Sequence, residues 1–208
     1  MLDFDRKAYA LNELERVLAT LGPEARILMD NLPYSAVLGW PFIREDGSAG
    51  MQTRVLVWRG SFAIALDHET HQVIVVEQIR ESPNGPTTTV EIPGGGIDPG
   101  TEPLDQAIAE LAEETGAVQN DDAEWIRIGR ADGFTPLDGI VWTNQHAFLC
   151  TSVHFVAEPE TGIRKVTTYP LSKLIEMDNK DAFQDPFSPY IIRRVQDWLA
   201  KNHPELLT

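Results

Sequence analysis

"GGGIDPGTEPLDQAIAELAEETG", residues 94–116, runs from three consecutive glycines to three glutamates crowded into one turn. Pro103 suits the first turn of a helix, where its missing N–H costs nothing, and Gly116 suits a left-handed C-terminal cap. Between them Leu104, Ala107, Ile108 and Leu111 recur at i, i+3, i+4 and i+7, which predicts a short amphipathic helix with one buried stripe. At about 100° per residue, Glu110, Glu113 and Glu114 form a separate cluster roughly 115° from that stripe, expected to converge outside the core. Like charges at i, i+3 and i+4 repel, and those in the last turn also oppose the helix dipole. A hard divalent cation, Mg²⁺ or Mn²⁺, would offset both, with the Gly94–Gly95 turn able to add a backbone carbonyl.

Outward from this helix the chain reads as strands, helix, strands, helix. "TRVLVW", "SFAIAL" and "QVIVVEQIR" precede the glycines; "EWIRIGRADGF", "QHAFLCTSVHFVA" and "RKVTTYPL" follow the helix; "DPFSPYIIRRVQDWLAKN" closes the chain as a second helix. That order predicts an α/β fold, a mixed sheet in an α/β/α sandwich, rather than a regular parallel array. Residues 1–51 divide off as an N-terminal part. Leu11, Leu14, Leu18 and Leu21 predict an accessory helix ending at Gly22-Pro23, and the stretch 24–51, with Pro33, Gly39, Pro41, Gly47 and Gly50, is expected to be irregular. Residues 52–208 form the main domain.

Composition narrows the function classes. The 208 residues and their hydrophobic content suffice for an ordinary core, while a net charge of −15 repels a phosphate backbone. Nucleic acid is therefore not an expected partner. The single Cys150 provides no internal disulfide, and the N-terminal segment lacks the charge and apolar pattern of a secretory signal. No apolar run reaches the roughly 20 residues that span a bilayer. A cytoplasmic protein without a membrane partner is expected.

A bare ExxEE is more often a solvated helix face than a metal site, but its setting here is specific. A strand-like "TVEIP" and a glycine turn lie at a fixed distance before it, and Thr115-Gly116 follow. The segment resembles the Nudix hydrolase box, which reads Gly, five residues, Glu, seven residues, then Arg-Glu-apolar-any-Glu-Glu-any-Gly-apolar. The match falls on Gly95, Glu110, Leu111, Glu113, Glu114, Gly116 and Ala117. Thr101 stands where the family has its first glutamate, with Glu102 next, and Ala109 stands where it has the arginine. The resemblance implies that Glu110, Glu113 and Glu114 ligate Mg²⁺ or Mn²⁺, aided by Gly94 and Gly95. It also implies that the arginine's orienting bonds are missing, since alanine has no donors.

Beyond the box the resemblance extends over about residues 52–200 and favours the ADP-ribose and ADP-sugar pyrophosphatases. Gln78-Ile79-Arg80 and Glu91-Ile92-Pro93-Gly94-Gly95 match that branch's segments, with Ile79 in place of an aromatic and Gly94 in place of an alanine. It implies that Arg80 contacts the diphosphate or terminal ribose, and that Glu91 lies near the metals. The ordinary alternatives are a strand-end cation capping a surface carboxylate for Arg80 and a satisfied structural carboxylate for Glu91. It further implies an acidic residue on the loop "AEPETGIRKV" that activates water: Glu160 first, Glu158 second, with His154 and Asp138 as weaker candidates. Trp40, Tyr34 or Phe42 could stack on a nucleobase, in a homodimer of the kind the family often forms. The expected substrate is a small nucleotide sugar, cleaved to a nucleoside monophosphate and a sugar phosphate. A catalytically weakened binding domain, or a hydrolase for another nucleotide or coenzyme, stays open beside it.

Overall fold

The computed structural model describes residues 2–67, 69–81, 85–135 and 140–207, with the side chains of residues 2–5, 205 and 206 set aside. Asp138 lies outside the described residues. In chain order the elements are α1 (Leu2–Leu21), β1 (Arg26–Asn31), β2 (Ser35–Ile43), β3 (Ala49–Val57), β4 (Gly60–Asp67), β5 (Val73–Arg80), β6 (Thr87–Glu91) and β7 (Gly94–Gly96). There follow α2 (Pro103–Thr115), β8 (Ala117–Gln119), β9 (Trp125–Ile128), β10 (Val141–Trp142), β11 (Gln145–Phe155), β12 (Lys165–Tyr169), α3 (Leu171–Asp178) and α4 (Phe187–Asn202). The chain makes two compact units. One comprises Met1–Arg59, Ile97–Thr101 and Thr135–Asn144; the other comprises Gly60–Gly96, Glu102–Phe134 and Gln145–Thr208.

In the first unit α1 packs on a sheet of order β1-β2-β3-β10. Leu14, Ala36 and Leu38 are buried, with Val17, Leu18, Leu21, Leu32, Trp40 and Leu56 against them. Leu11, expected in the stripe, is instead 41% exposed, and Ala10 takes the buried position. The stretch 24–51 is not irregular: β2 pairs with β1 over Ser35–Gly39 and with β3 over Ser35–Ile43. Its breakers fit the sheet for local reasons. Pro41 lies past the last β2 residue paired with β1, where no N–H is required on that side. A Cβ on Gly39 would stand 2.8 Å from a Leu28 methyl, and one on Gly50 would stand 2.6 Å from the Phe42 ring, so these glycines make room for cross-strand side chains.

The second unit is an α/β/α sandwich around a mixed sheet of order β12-β5-β4-β11-β8. β6 adds to β5, β7 to β4 and β9 to β11. β4 and β11 run parallel at its centre, and the remaining pairings in this sheet are antiparallel. Alternation along the strands sorts the core into two layers. Ala63 and Ala65 of β4, Ile74 of β5, and Phe148 and Cys150 of β11 cluster with Ala107 and Leu111 of α2. The intervening Ile64, Leu66, Val73, Val75, Ala147 and Leu149 cluster with Leu171 and Leu174 of α3 and with Ile191, Ile192, Val195 and Leu199 of α4. Burying a leucine or isoleucine in such a layer contributes about 1.5–3 kcal/mol. No helix among the described residues is long and apolar enough to cross a membrane.

Candidate active site

Helix α2 starts and stops as its sequence dictates. Pro103 opens it, and Gly116 caps it at φ 70° with its N–H donating to the Ala112 carbonyl. Glu102 is exposed and makes no capping bond. The helix buries Ala107 and Leu111, and it also buries Glu114, which is 7% exposed. That corrects the expectation of a cluster wholly outside the core. The helical projection treats α2 alone, whereas β5 and β7 reach around its flank and supply the donors that make burial tolerable. Gln78 Nε2 donates to Glu114 Oε1 at 2.9 Å, and the Gly94 backbone N–H donates to Oε2 at 2.9 Å. Glu110, beside it, is half-buried and accepts from Gln106 Nε2 at 2.8 Å; Glu113 is exposed.

Burial pushes the Glu114 carboxyl up to about 7, and the negative charges of Glu110 and Glu160 push in the same direction against the bonds from Gly94 and Gln78. The site thus concentrates negative charge that its own donors do not neutralise.

The glycine segment is a short strand rather than a free turn. β7 pairs with β4, placing Gly94 opposite Phe62 and Gly95 opposite Ser61. A Cβ on Gly94 would meet the Phe62 ring and, at 2.7 Å, the Ser61 carbonyl, which accounts for glycine where the resembling branch has alanine. A Cβ on Gly95 would collide with the Glu110 carboxylate, so this carboxylate lies directly against bare backbone.

The loop after β11 crosses the C-terminal end of α2. The N–H groups of Val156 and Ala157 donate to the Gly116 carbonyl at 2.8 and 3.2 Å, and the Glu160 N–H donates to the Glu113 carbonyl at 2.7 Å. This brings Glu160 within electrostatic reach of Glu114. Glu158 shares the loop; both side chains are exposed. His154 is an exposed strand residue bonded through Nδ1 to Asn120 at 2.5 Å.

Arg80 and Glu91 meet each other. Nε donates to Oε1 at 2.9 Å and Nη2 to Oε2 at 2.6 Å, a two-point fork on neighbouring strands β5 and β6. Burial raises the Glu91 carboxyl, but the bonds from Arg80 and Thr89 outweigh it and hold the group below its ordinary value. The pair borders a cleft of about 480 Å³ that also includes Phe62, Gly94, Asp185 and Phe187. Asp185 escaped the sequence reading, as did Gln106. Asp185 Oδ1 accepts from the first amides of α4, Phe187 and Ser188, at 2.9 and 2.7 Å, and burial raises its carboxyl. The signals available were an acidic residue just before a helix and a glutamine four residues before a glutamate.

Trp40 belongs to the first unit. It stacks on Trp142 with ring centroids 5.4 Å apart, and the Arg54 guanidinium lies 5.9 Å from each ring. Tyr34 and Phe42 are exposed. The same unit holds a cavity of about 320 Å³ walled by Tyr9, Trp58, Arg59 and Trp142.

Hard carboxylate oxygens with surplus negative charge are the donor set that Mg²⁺ or Mn²⁺ selects, so the residues fit such an ion in chemistry. Among the described residues, no three His, Cys, Asp or Glu side chains already converge on one point. Glu113, exposed on the same helical flank, is the member whose side chain would have to turn inward.

The second unit is thus a mixed-sheet α/β/α sandwich in which an acidic helix packs beside a short glycine strand. The NUDIX domain family model matches residues 57–191, and the chain belongs to the Nudix family. Among solved structures it is similar to one described as "Crystal structure of ADP compounds hydrolase", with a TM-score of 0.62 and 13% identity, over 87% of this chain and 97% of that one. At that identity the likeness establishes the fold. No curated protein matches the sequence.

Proposed function

We propose that the protein is a divalent-metal-dependent hydrolase that cleaves the diphosphate of an ADP-ribose-like nucleotide sugar, releasing a nucleoside monophosphate and a sugar phosphate. The observation that supports this reading is the buried Glu114 carboxylate, which feels the negative charges of Glu110 on the same helix and of Glu160 on a loop tied to that helix by a backbone hydrogen bond. Glu110, Glu113 and Glu114, with backbone from Gly94 and Gly95, would hold Mg²⁺ or Mn²⁺. When bound, such an ion neutralises phosphate oxygens and lowers the pKa of water. Glu160 takes the proton of the attacking water, with Glu158 as the alternate on the same loop. Arg80 receives the diphosphate or the terminal ribose, and Glu91 holds its guanidinium in a fixed plane beforehand. Glu91 therefore serves the substrate side of the site. Trp40 offers a stacking face for the base, and a homodimer is the proposed assembly. In this reading residues 52–208 form the catalytic domain and residues 1–51 an N-terminal addition.

Hydrolysis of a panel of nucleoside diphosphate sugars, nucleoside triphosphates and coenzymes with Mg²⁺ and Mn²⁺, read as phosphate released by a coupled phosphatase, tests the proposal. Preference for ADP-ribose or an ADP-sugar supports it, and preference for a triphosphate or coenzyme overturns the substrate assignment. A second reading, a binding domain with weakened catalysis, is favoured by Ala109 at the box arginine position. Tight binding of a panel member without turnover would establish it.

A further inference from the structure

Ala109 can donate no hydrogen bond to the carboxylates beside it, yet both the Glu110 and the Glu114 carboxylates are held by donors. Glu114 has Gln78 and the Gly94 amide. Glu110 has Gln106, four residues earlier on the same face of α2, whose Nε2 lies 2.8 Å from Oε1. Gln106 is only 6% exposed, in the turn that also buries Ala107. A glutamine amide is retained at such a depth only where its polar atoms find partners. The Glu110 carboxylate also lies against Gly95, in the space that a side chain there would enter. The carboxylate is therefore oriented by a side-chain amide and packed against bare backbone.

We propose that Gln106 is the positioning residue that fixes Glu110 for metal binding, taking over from within α2 the orienting bond that Ala109 cannot make. The assignment rests on the metal-dependent reading given above. A neutral amide sets the direction of a carboxylate as an arginine does, but it adds no positive charge. An incoming cation then meets the full negative charge of the α2 cluster instead of one already partly compensated. An i, i+4 amide also holds its partner through the helix itself, so the bond does not depend on a neighbouring loop.

Calorimetric titration of the full-length protein with Mn²⁺ tests this without recourse to turnover. Gln106→Leu preserves volume and removes the donor, and Gln106→Asn preserves the amide but shortens its reach. Both should weaken Mn²⁺ binding by roughly 10- to 100-fold, the usual cost of losing a bond to a metal-ligating group. Adding Ala109→Arg to Gln106→Leu should restore much of the loss, while Ala109→Arg alone should change affinity by less than about threefold, because the two groups serve one function and are not additive. Glu110→Gln separates the two levels of the claim. Wild-type affinity in Gln106→Leu and Gln106→Asn with weakened binding in Glu110→Gln overturns the role of Gln106 and leaves the metal site standing. Wild-type affinity in Glu110→Gln overturns the metal site and the inference together. Should Gln106→Leu fail to fold, Gln106→Asn and its rescue by Ala109→Arg carry the same decision.

Discussion

The Glu160 N–H donates to the Glu113 carbonyl oxygen at 2.7 Å, joining the loop after β11 to the last turn of α2 by backbone alone. The Glu160 side chain takes no part in that bond, so its chemistry can be changed without releasing the loop. Glu160→Gln is expected to lower kcat by roughly 10²- to 10⁴-fold with KM nearly unchanged, because the amide keeps the shape and cannot accept a proton. Glu158→Gln should be mild. Steady-state kinetics on the best panel substrate decides; full activity in both variants would place the base elsewhere.

Gly116 serves the helix and the loop together. Its φ of 70° alone makes a side chain there cost about 1–2 kcal/mol, and an added Cβ would also collide with the Ala157 carbonyl. Gly116→Ala should therefore lower the Tm and, by lifting the loop, reduce kcat in the fraction that remains folded. A stability loss with kcat intact would show that the loop tolerates displacement.

Burial holds the Glu114 carboxyl near 7, above its ordinary 4.5, with Glu110 and Glu160 reinforcing the shift. Between these values the native protein binds a proton that the unfolded chain has already lost, so stability falls as pH rises from 4.5 to 7 and levels off above. The full effect is on the order of 3 kcal/mol at most. Urea unfolding with a chelator at pH 5 and pH 7.5, in wild type and Glu114→Gln, isolates the contribution. Equal pH dependence in the two proteins would refute it.

Divalent ions should reverse that loss. A ligand bound only by the native state raises stability by about 2.7 kcal/mol at 100 times its Kd. Thermal melts with Mg²⁺ or Mn²⁺ should show an upward shift in wild type and none in a Glu113→Gln/Glu114→Gln variant. Identical responses would remove the α2 carboxylates from metal binding.

Much of this site is legible in one stretch of sequence. Pro103 and Gly116 act locally, so the limits of α2 follow from its own residues, as does the burial of Ala107 and Leu111, whereas Leu104 and Ile108, expected in the same stripe, are only half-buried. Burial of Glu114 does not follow from the helix alone, because it depends on Gln78 and Gly94, which the sheet brings in from other strands. Arg80 and Glu91 were legible as candidates but not as a pair, since their meeting requires the β5–β6 register. The N-terminal strands were hidden by prolines and glycines that signal breaks in isolation. Pro41 and Gly39 are compatible with β2 only through where β1 ends and where Leu28 lies.

The parallel pairing of β4 with β11 also bears on how the chain is assembled. Ala63 and Phe148 are registered neighbours about 85 positions apart, and closing so long a loop slows folding relative to local pairing. Every residue of α2 is synthesised before β11 emerges from the ribosome. Until then the helix has only part of the surface on which Ala107 and Leu111 pack, since Phe148 and Cys150 of that surface belong to β11. A nascent chain halted before residue 145 would expose the β4 edge that β11 later covers, leaving it open to chaperones and to pairing with other chains.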